Sequence, residues 1–309
     1  MTRRILPAAL AAALAISALG CAPKPGEGTV EASLDVGDRT RSYLYHLPSG
    51  WTAQAPKKWP LVIALHGRLG QGASQEKLTH FSAIADREGF VVVYPDGIGK
   101  SWNDYRHEGP AADDKVDDVA YLSALITTFV RDHAVDDKRV YVTGMSNGAM
   151  MTYSAACELS DRVAAFGPVA GLLPEGAAEG CKPKRGVPMM IVAGTEDKLV
   201  PYHGGDVARD RGRVHSAEQT RDIFATKNGC GSPGPARFVD VADDGTRVAI
   251  EESTGCKDGA DVVLVTVEGG GHGWPSGDQY LPEWAIGKTS RDVDASEELW
   301  KFFQRHPLP

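Results

Sequence analysis

Val140-Tyr-Val-Thr-Gly-Met-Ser-Asn-Gly-Ala-Met-Met-Thr-Tyr153 decides the fold. An apolar, β-branched run meets Gly144-Met-Ser-Asn-Gly148 there and passes directly into helix-forming residues. A strand that turns into a helix within about three residues holds its apex residue in a strained backbone conformation and brings neighbouring chain close on both sides. The turn lifts the Ser146 hydroxyl clear of the sheet and aims the Asn147 amide at the same point. The bare G-x-S-x-G pattern arises easily by chance in a glycine-rich chain, so the strand before it and the helix after it carry the reading.

Outward from this turn, Leu61 to Leu65, Phe90 to Tyr94 and Met189 to Ala193 are short apolar runs like Val140 to Thr143. Such runs suit parallel strands buried on both faces. Val163 to Val169 and Val262 to Val267 extend the set. Helical spacing lies between them: Val119, Leu122, Ile126, Phe129 and Val130 form one face, and Ala217 to Lys227 and Asp294 to Arg305 form two further helices. Asp117 and Asp118 sit where negative charge suits a helix start, which is a simpler reading than a metal pair. Strands alternating with helices predict an α/β chain with a mainly parallel, doubly wound sheet. Thr29 to Val36 and Arg41 to Leu47, alternating around Gly37-Asp38, add an antiparallel N-terminal edge. A second antiparallel pair is expected from Arg237 to Val241 and Arg247 to Glu252. The short connection from Gly171 to Pro188 leaves no room for a large cap domain, which predicts an open cleft.

The chain has 309 residues, 42% hydrophobic and 24% charged, as expected for a globular catalytic domain over residues 29–309. Residues 1–20 read as an export signal: Arg3 and Arg4 precede an alanine-rich apolar stretch too short to span a membrane. Ala18-Leu-Gly-Cys21 resembles the lipobox of bacterial lipoproteins, with Ala18 and Leu19 in the reverse of the usual order. Cys21 is thus a candidate for acylation, residues 21–28 a tether, and that lipid the only membrane contact expected. The remaining cysteines, Cys157, Cys181, Cys230 and Cys256, are even in number and suit an oxidising, extracytoplasmic compartment. Pairing Cys157 with Cys181 and Cys230 with Cys256 closes two short loops next to expected elements; four free thiols are the alternative. Net charge is −8, and −10 once Arg3 and Arg4 leave with the signal. No basic stripe exists to hold nucleic acid.

A serine hydroxyl needs a neutral imidazole to take its proton and a carboxylate to hold that imidazole. On a sheet of this order both should follow Ser146 in the chain, in loops after later strands. Gly194-Thr-Glu-Asp197 follows the Met189 strand, and Gly269-Gly-Gly-His-Gly273 follows the Val262 strand. This assigns Asp197 as acid, with Glu196 its neighbour and rival, and His272 as base. His66, His203 and His215 are less well placed. The oxyanion donors are expected to be the backbone amides of Asn147 and of Arg68, with Gly67 the rival, in the glycine-rich loop after Leu65. Trp102 and Trp274 are candidate pocket walls, with ordinary packing the equal alternative. No metal or organic cofactor is needed for this chemistry.

Together these features resemble the secreted polyhydroxybutyrate depolymerase and feruloyl esterase family of α/β-hydrolases. The resemblance runs from about Arg41 to Pro307 and is carried by Leu65-His-Gly67, Ser101-Trp-Asn103, Val116-Asp-Asp-Val119, Gly144 to Met151, Pro168-Val-Ala-Gly171, Gly194 to Asp197 with Val200-Pro-Tyr202, and Gly269 to Pro275. It implies the α/β-hydrolase fold and the same Ser146, Asp197 and His272. The function it implies is hydrolysis of feruloyl-type or hydroxyalkanoate esters and oligoesters, derived from plant cell wall or polyester. Depolymerases of this group often carry cysteine after the His-Gly, where this chain has Arg68. Acetylxylan esterase and serine peptidase are alternatives on the same fold, and a non-catalytic envelope-binding protein is an alternative of another class. Oligomeric state is left open.

Overall fold

The computed structural model describes residue 26 and residues 28–55 and 57–309. The expected export signal, Cys21 and most of the tether lie outside the described residues. Twelve strands are present among these: β1 (Thr29–Val36), β2 (Arg39–His46), β3 (Trp59–Leu65), β4 (Val91–Pro95), β5 (Val135–Met145), β6 (Ala165–Val169), β7 (Met189–Gly194), β8 (Gly205–Asp206), β9 (Arg213–Val214), β10 (Arg237–Val239), β11 (Arg247–Ser253) and β12 (Val262–Glu268). Ten form one sheet in the order β1-β2-β4-β3-β5-β6-β7-β12-β11-β10. The six central strands, β4 to β12, run parallel. Antiparallel pairs close both ends: β1 and β2 at one, β11 and β10 at the other.

The apolar runs form central strands because each side chain faces one of two helical layers. Leu61, Ile63 and Leu65 enter one core, and Val62 and Ala64 enter the other; all five are fully buried. Burying each Leu, Ile or Val side chain contributes about 1.5–3 kcal/mol. The first core is covered by helices Asp118–Asp132, Asn147–Glu158 and Ala217–Asn228, through residues such as Phe129, Tyr153 and Phe224. Helices Gly72–Thr79, Phe81–Glu88 and Ala295–Gln304 cover the second, through Phe81, Ile84, Leu299 and Phe303. Three of these six helices have starts fixed by side-chain caps. The Asp117 carboxylate accepts from the Ala120 amide, Ser216 and Gln219 form a capping box, and Asp294 accepts from Ser296 and Glu297.

Disulfides join Cys157 to Cys181 and Cys230 to Cys256. The first ties the end of helix Asn147–Glu158 to the approach to β7, and the second ties the chain after helix Ala217–Asn228 to the approach to β12. Asp118 does more than stabilise a helix start. It is buried, forms a 2.7 Å ion pair with buried Arg41, and accepts from the Asn103 amide at 2.8 Å. The β8–β9 pair has no counterpart in the apolar pattern, because a two-residue ladder has too few side chains to leave a period.

Candidate active site

β5 ends at Met145 and helix Asn147–Glu158 begins at once, which leaves Ser146 alone at the apex with φ 57° and ψ −118°. A serine adopts positive φ only when its surroundings hold it there. The Ser146 amide donates to the Val169 carbonyl at the end of β6, and the Ser146 carbonyl starts the helix by accepting from Met150, each at 3.0 Å. Both flanking glycines are required by close approach. A Cβ on Gly144 would lie 2.6 Å from the Gly148 carbonyl, and one on Gly148 would lie 2.5 Å from the Leu65 oxygen.

β7 and β12 are parallel neighbours, so the loops after them emerge side by side at the edge that also bears Ser146. There His272 Nδ1 and Asp197 Oδ2 are 2.7 Å apart, with both side chains 2% exposed. The other Asp197 oxygen accepts from the Leu199 and Val200 amides, each at 2.8 Å. A carboxylate held by three donors cannot swing away, and it fixes the imidazole with Nδ1 protonated and Nε2 free to accept. Glu196 is exposed, and among the described residues the carboxylate bonded to His272 is that of Asp197. The histidine loop is clamped from behind: the His272 amide donates to the Ile286 carbonyl at 2.6 Å, and the Tyr280 hydroxyl donates to the His272 carbonyl at 3.1 Å. Tyr280 and Ile286 escaped the sequence reading, since one acts through a hydroxyl and the other through its carbonyl, both on His272 backbone and in an aperiodic segment.

β3 delivers the facing loop. A Cβ on Gly67 would sit 3.4 Å from Ser146 Cβ, so the Gly67-Arg68 peptide borders Ser146 directly. Among the described residues the amides of Gly67, Arg68 and Asn147 donate to no protein acceptor. His66, set aside as a base, orders this loop. The Gly97 amide donates to its Nε2 at 2.9 Å, which leaves Nδ1 to donate to the Gly67 carbonyl at 2.8 Å. Burial holds its pKa below the usual histidine value, against a weaker upward pull from the Gly67 carbonyl. The imidazole is therefore a neutral brace.

Trp102 and Trp274 correct the expectation of pocket walls. They are 0% and 1% exposed, and each indole N–H is used internally, as buried tryptophan requires. Trp274 donates to Ser296 Oγ at 3.0 Å and packs edge-on against Phe81. Trp102 donates to the His66 carbonyl at 2.8 Å, while its own backbone N–H and carbonyl bond the Asn147 side chain at 2.8 and 3.1 Å. Asn147 Nδ2 also reaches Asp104 Oδ2 at 2.7 Å. Trp102 thus struts the serine turn against the loop after β3. No group of three or more metal-ligating side chains occurs among the described residues.

Residues 41–182 match the family described as Esterase PHB depolymerase. Feruloyl esterase B of Piromyces equi is 32% identical over 242 residues, which is 75% of this chain; the chain spans 42% of that protein's length. The chain's likeness is to this esterase family. Feruloyl esterase D of Neurospora crassa is 26% identical over 306 residues, covering 96% of this chain and 92% of that protein. Among solved structures, an acetyl xylan esterase from Aspergillus awamori superposes with a TM-score of 0.57 at 15% identity, over 89% of this chain and 99% of that one, which shows a shared fold. The esterase is thus an α/β-hydrolase whose activity class is carboxylic ester hydrolysis.

Proposed function

We propose that this esterase cleaves feruloyl-type or hydroxyalkanoate (oligo)esters through an acyl-enzyme on Ser146. The Asp197–His272 pair, buried and 2.7 Å apart at the sheet edge that also bears the strained serine turn, is the observation that carries the reading. His272 Nε2 takes the Ser146 proton as the hydroxyl attacks the ester carbonyl, and Asp197 stabilises the imidazolium that forms. The Arg68 and Asn147 amides donate to the oxyanion, and each such donor contributes about 2.7–4 kcal/mol to the transition state. Collapse of the tetrahedral intermediate passes the proton from His272 to the departing alkoxide. Water then enters, gives a proton to His272 and attacks the acyl carbonyl, and the acid leaves as the proton returns to Ser146 Oγ.

Two disulfides support an extracytoplasmic location, since such bonds persist where thiols are not kept reduced. The family description and the names of its feruloyl-ester-cleaving members support the substrate class. Parallel initial rates on methyl ferulate, acetylated xylan and a 3-hydroxybutyrate oligomer test it. Turnover of the first or third is expected, with loss in Ser146→Ala. A clear preference for acetylated xylan overturns the substrate assignment, and hydrolysis of anilides as fast as esters overturns the reaction class.

A further inference from the structure

A second feature of the site lies in arginine side chains that the hydrolytic steps leave unused. Arg68 follows Gly67, the residue against Ser146, and its side chain crosses to Gly109, where a Cβ would collide with the guanidinium. Arg106, in the same loop as Gly109, bonds the Arg211 carbonyl through Nη1 at 3.1 Å, and a Cβ on Gly212 would lie 3.3 Å from the Arg106 stem. The loop carrying Arg209 and Arg211 is held in a tight turn. The Val207 amide donates to the Gly212 carbonyl, the Arg211 amide donates to the Val207 carbonyl, and φ is positive at Arg209 and Asp210. The cluster is tied to the serine turn as well: Arg106 pairs at 2.6 Å with buried Asp104, the carboxylate that receives Asn147 Nδ2.

Arg106 is neutralised by Asp104. Arg68, Arg209 and Arg211 are not: among the described residues none has a carboxylate within 4 Å, and Glu108 and Asp210, in the same loops, pair with none of them. Arg68 and Arg211 are half-buried and Arg209 is exposed. Burial first, and then the charges of Arg68, Arg209 and Arg106, hold the Arg211 pKa below the usual guanidinium value, so these cations do sense one another. Arg68, on the residue after Gly67, and Arg209 and Arg211, on the loop that Arg106 holds, thus form a group of cations without carboxylate partners, and like charges so placed are eased by an anion between them. Guanidinium groups match carboxylate geometry through paired N–H donors.

We infer that Arg68, Arg209 and Arg211 receive a carboxylate carried by the ester substrate, so that esters with a free acid group are preferred over their neutral isosteres. The inference rests on Ser146 being the nucleophile and narrows the substrate class: an ester ending in a carboxylate fits, and a neutral sugar ester leaves the cluster unsatisfied. Two isosteric pairs test it, one for each half of the ester. They are 3-acetoxybutanoate against 3-acetoxybutanamide, and monophenyl adipate against phenyl adipamate, at pH 7.5 and about 20 mM salt. In at least one pair kcat/KM is expected to favour the acid by about tenfold, the effect of a hydrogen bond to a charged group. That ratio should fall towards one in Arg211→Gln, and also fall in the unaltered protein at about 0.5 M NaCl, where the Debye length is down to about 4 Å. Acid and amide rates within about twofold in both pairs overturn the inference while leaving the nucleophile assignment intact. A preference that survives both Arg211→Gln and high salt also overturns it. No turnover of any of the four esters by protein that cleaves methyl ferulate or the hydroxybutyrate oligomer overturns the inference alone; undiminished turnover of those two in Ser146→Ala overturns the nucleophile assignment, and the inference with it.

Discussion

Asn147 is the sharpest place to perturb the site, because its side chain is buried against Trp102 and Asp104 while its backbone amide, next after Ser146, is the proposed oxyanion donor. The carboxamide accepts from the Trp102 amide at 2.8 Å and donates to the Trp102 carbonyl at 3.1 Å and to Asp104 at 2.7 Å. Asn147→Ala removes all three bonds. Two neutral hydrogen bonds contribute about 0.5–1.5 kcal/mol each and one to a carboxylate about 1.5–3, so the expected loss of stability is about 2.5–6 kcal/mol. The backbone amide survives but its tether to the loop after β4 does not. Loss of part of an oxyanion donor's contribution corresponds to a fall in kcat of about 10- to 100-fold, with KM changed less. Asn147→Asp is nearly isosteric and separates electrostatics from volume: at pH 7.5 it sets a second carboxylate against Asp104, and stability should recover as acid protonates one of the two, below about pH 5. Urea unfolding followed by tryptophan fluorescence and initial rates on 4-nitrophenyl acetate give both readouts. Asn147→Ala with stability within about 0.5 kcal/mol of the parent and kcat within twofold would refute the strut reasoning.

Other perturbations follow from the same contacts. Asp197→Asn keeps the shape but offers His272 the wrong hydrogen-bond partner, and kcat is expected to drop by about 10⁴ in steady-state assays. Replacing Cys157 and Cys181 by alanine opens a loop of 24 residues, for which chain entropy gives about 3.5 kcal/mol of lost stability, read as a lower urea midpoint without change in activity below the transition. His66 binds its proton more weakly folded than unfolded, so the unfolded state takes up protons first as pH falls through about 6.5. Stability should therefore decline from pH 7.5 to 5.5, and His66→Gln should flatten that slope when thermal midpoints are compared.

The central strands were legible because burial on both faces leaves unbroken apolar runs such as Leu61 to Leu65, and their order along the chain led to Ser146, Asp197 and His272. Boundaries moved where pairing overrode pattern: β5 starts at Val135, five residues before its apolar run, because Val135 pairs with Trp59 across a register shift. Other features were hidden because their chemistry is in the partners. His66 and Trp102 look like a spare base and a pocket wall until the Gly97 amide and the His66 carbonyl are found against them. Tyr280 and Ile286 hold the His272 backbone, and Arg68, Arg106 and Arg211 are brought near one another from three loops with no shared spacing. Periodicity reports which face of an element is buried; it does not report which loops meet beyond the strand ends.

The most direct test of the account is mass spectrometry of the folded protein after exposure to a fluorophosphonate, which reacts with a serine hydroxyl only when a neighbouring base activates it. One adduct is expected, on the peptide containing Ser146, strongly slowed in Asp197→Asn and absent in Ser146→Ala. An unlabelled Ser146 in protein that still hydrolyses esters, or labelling that persists in Ser146→Ala, would contradict it.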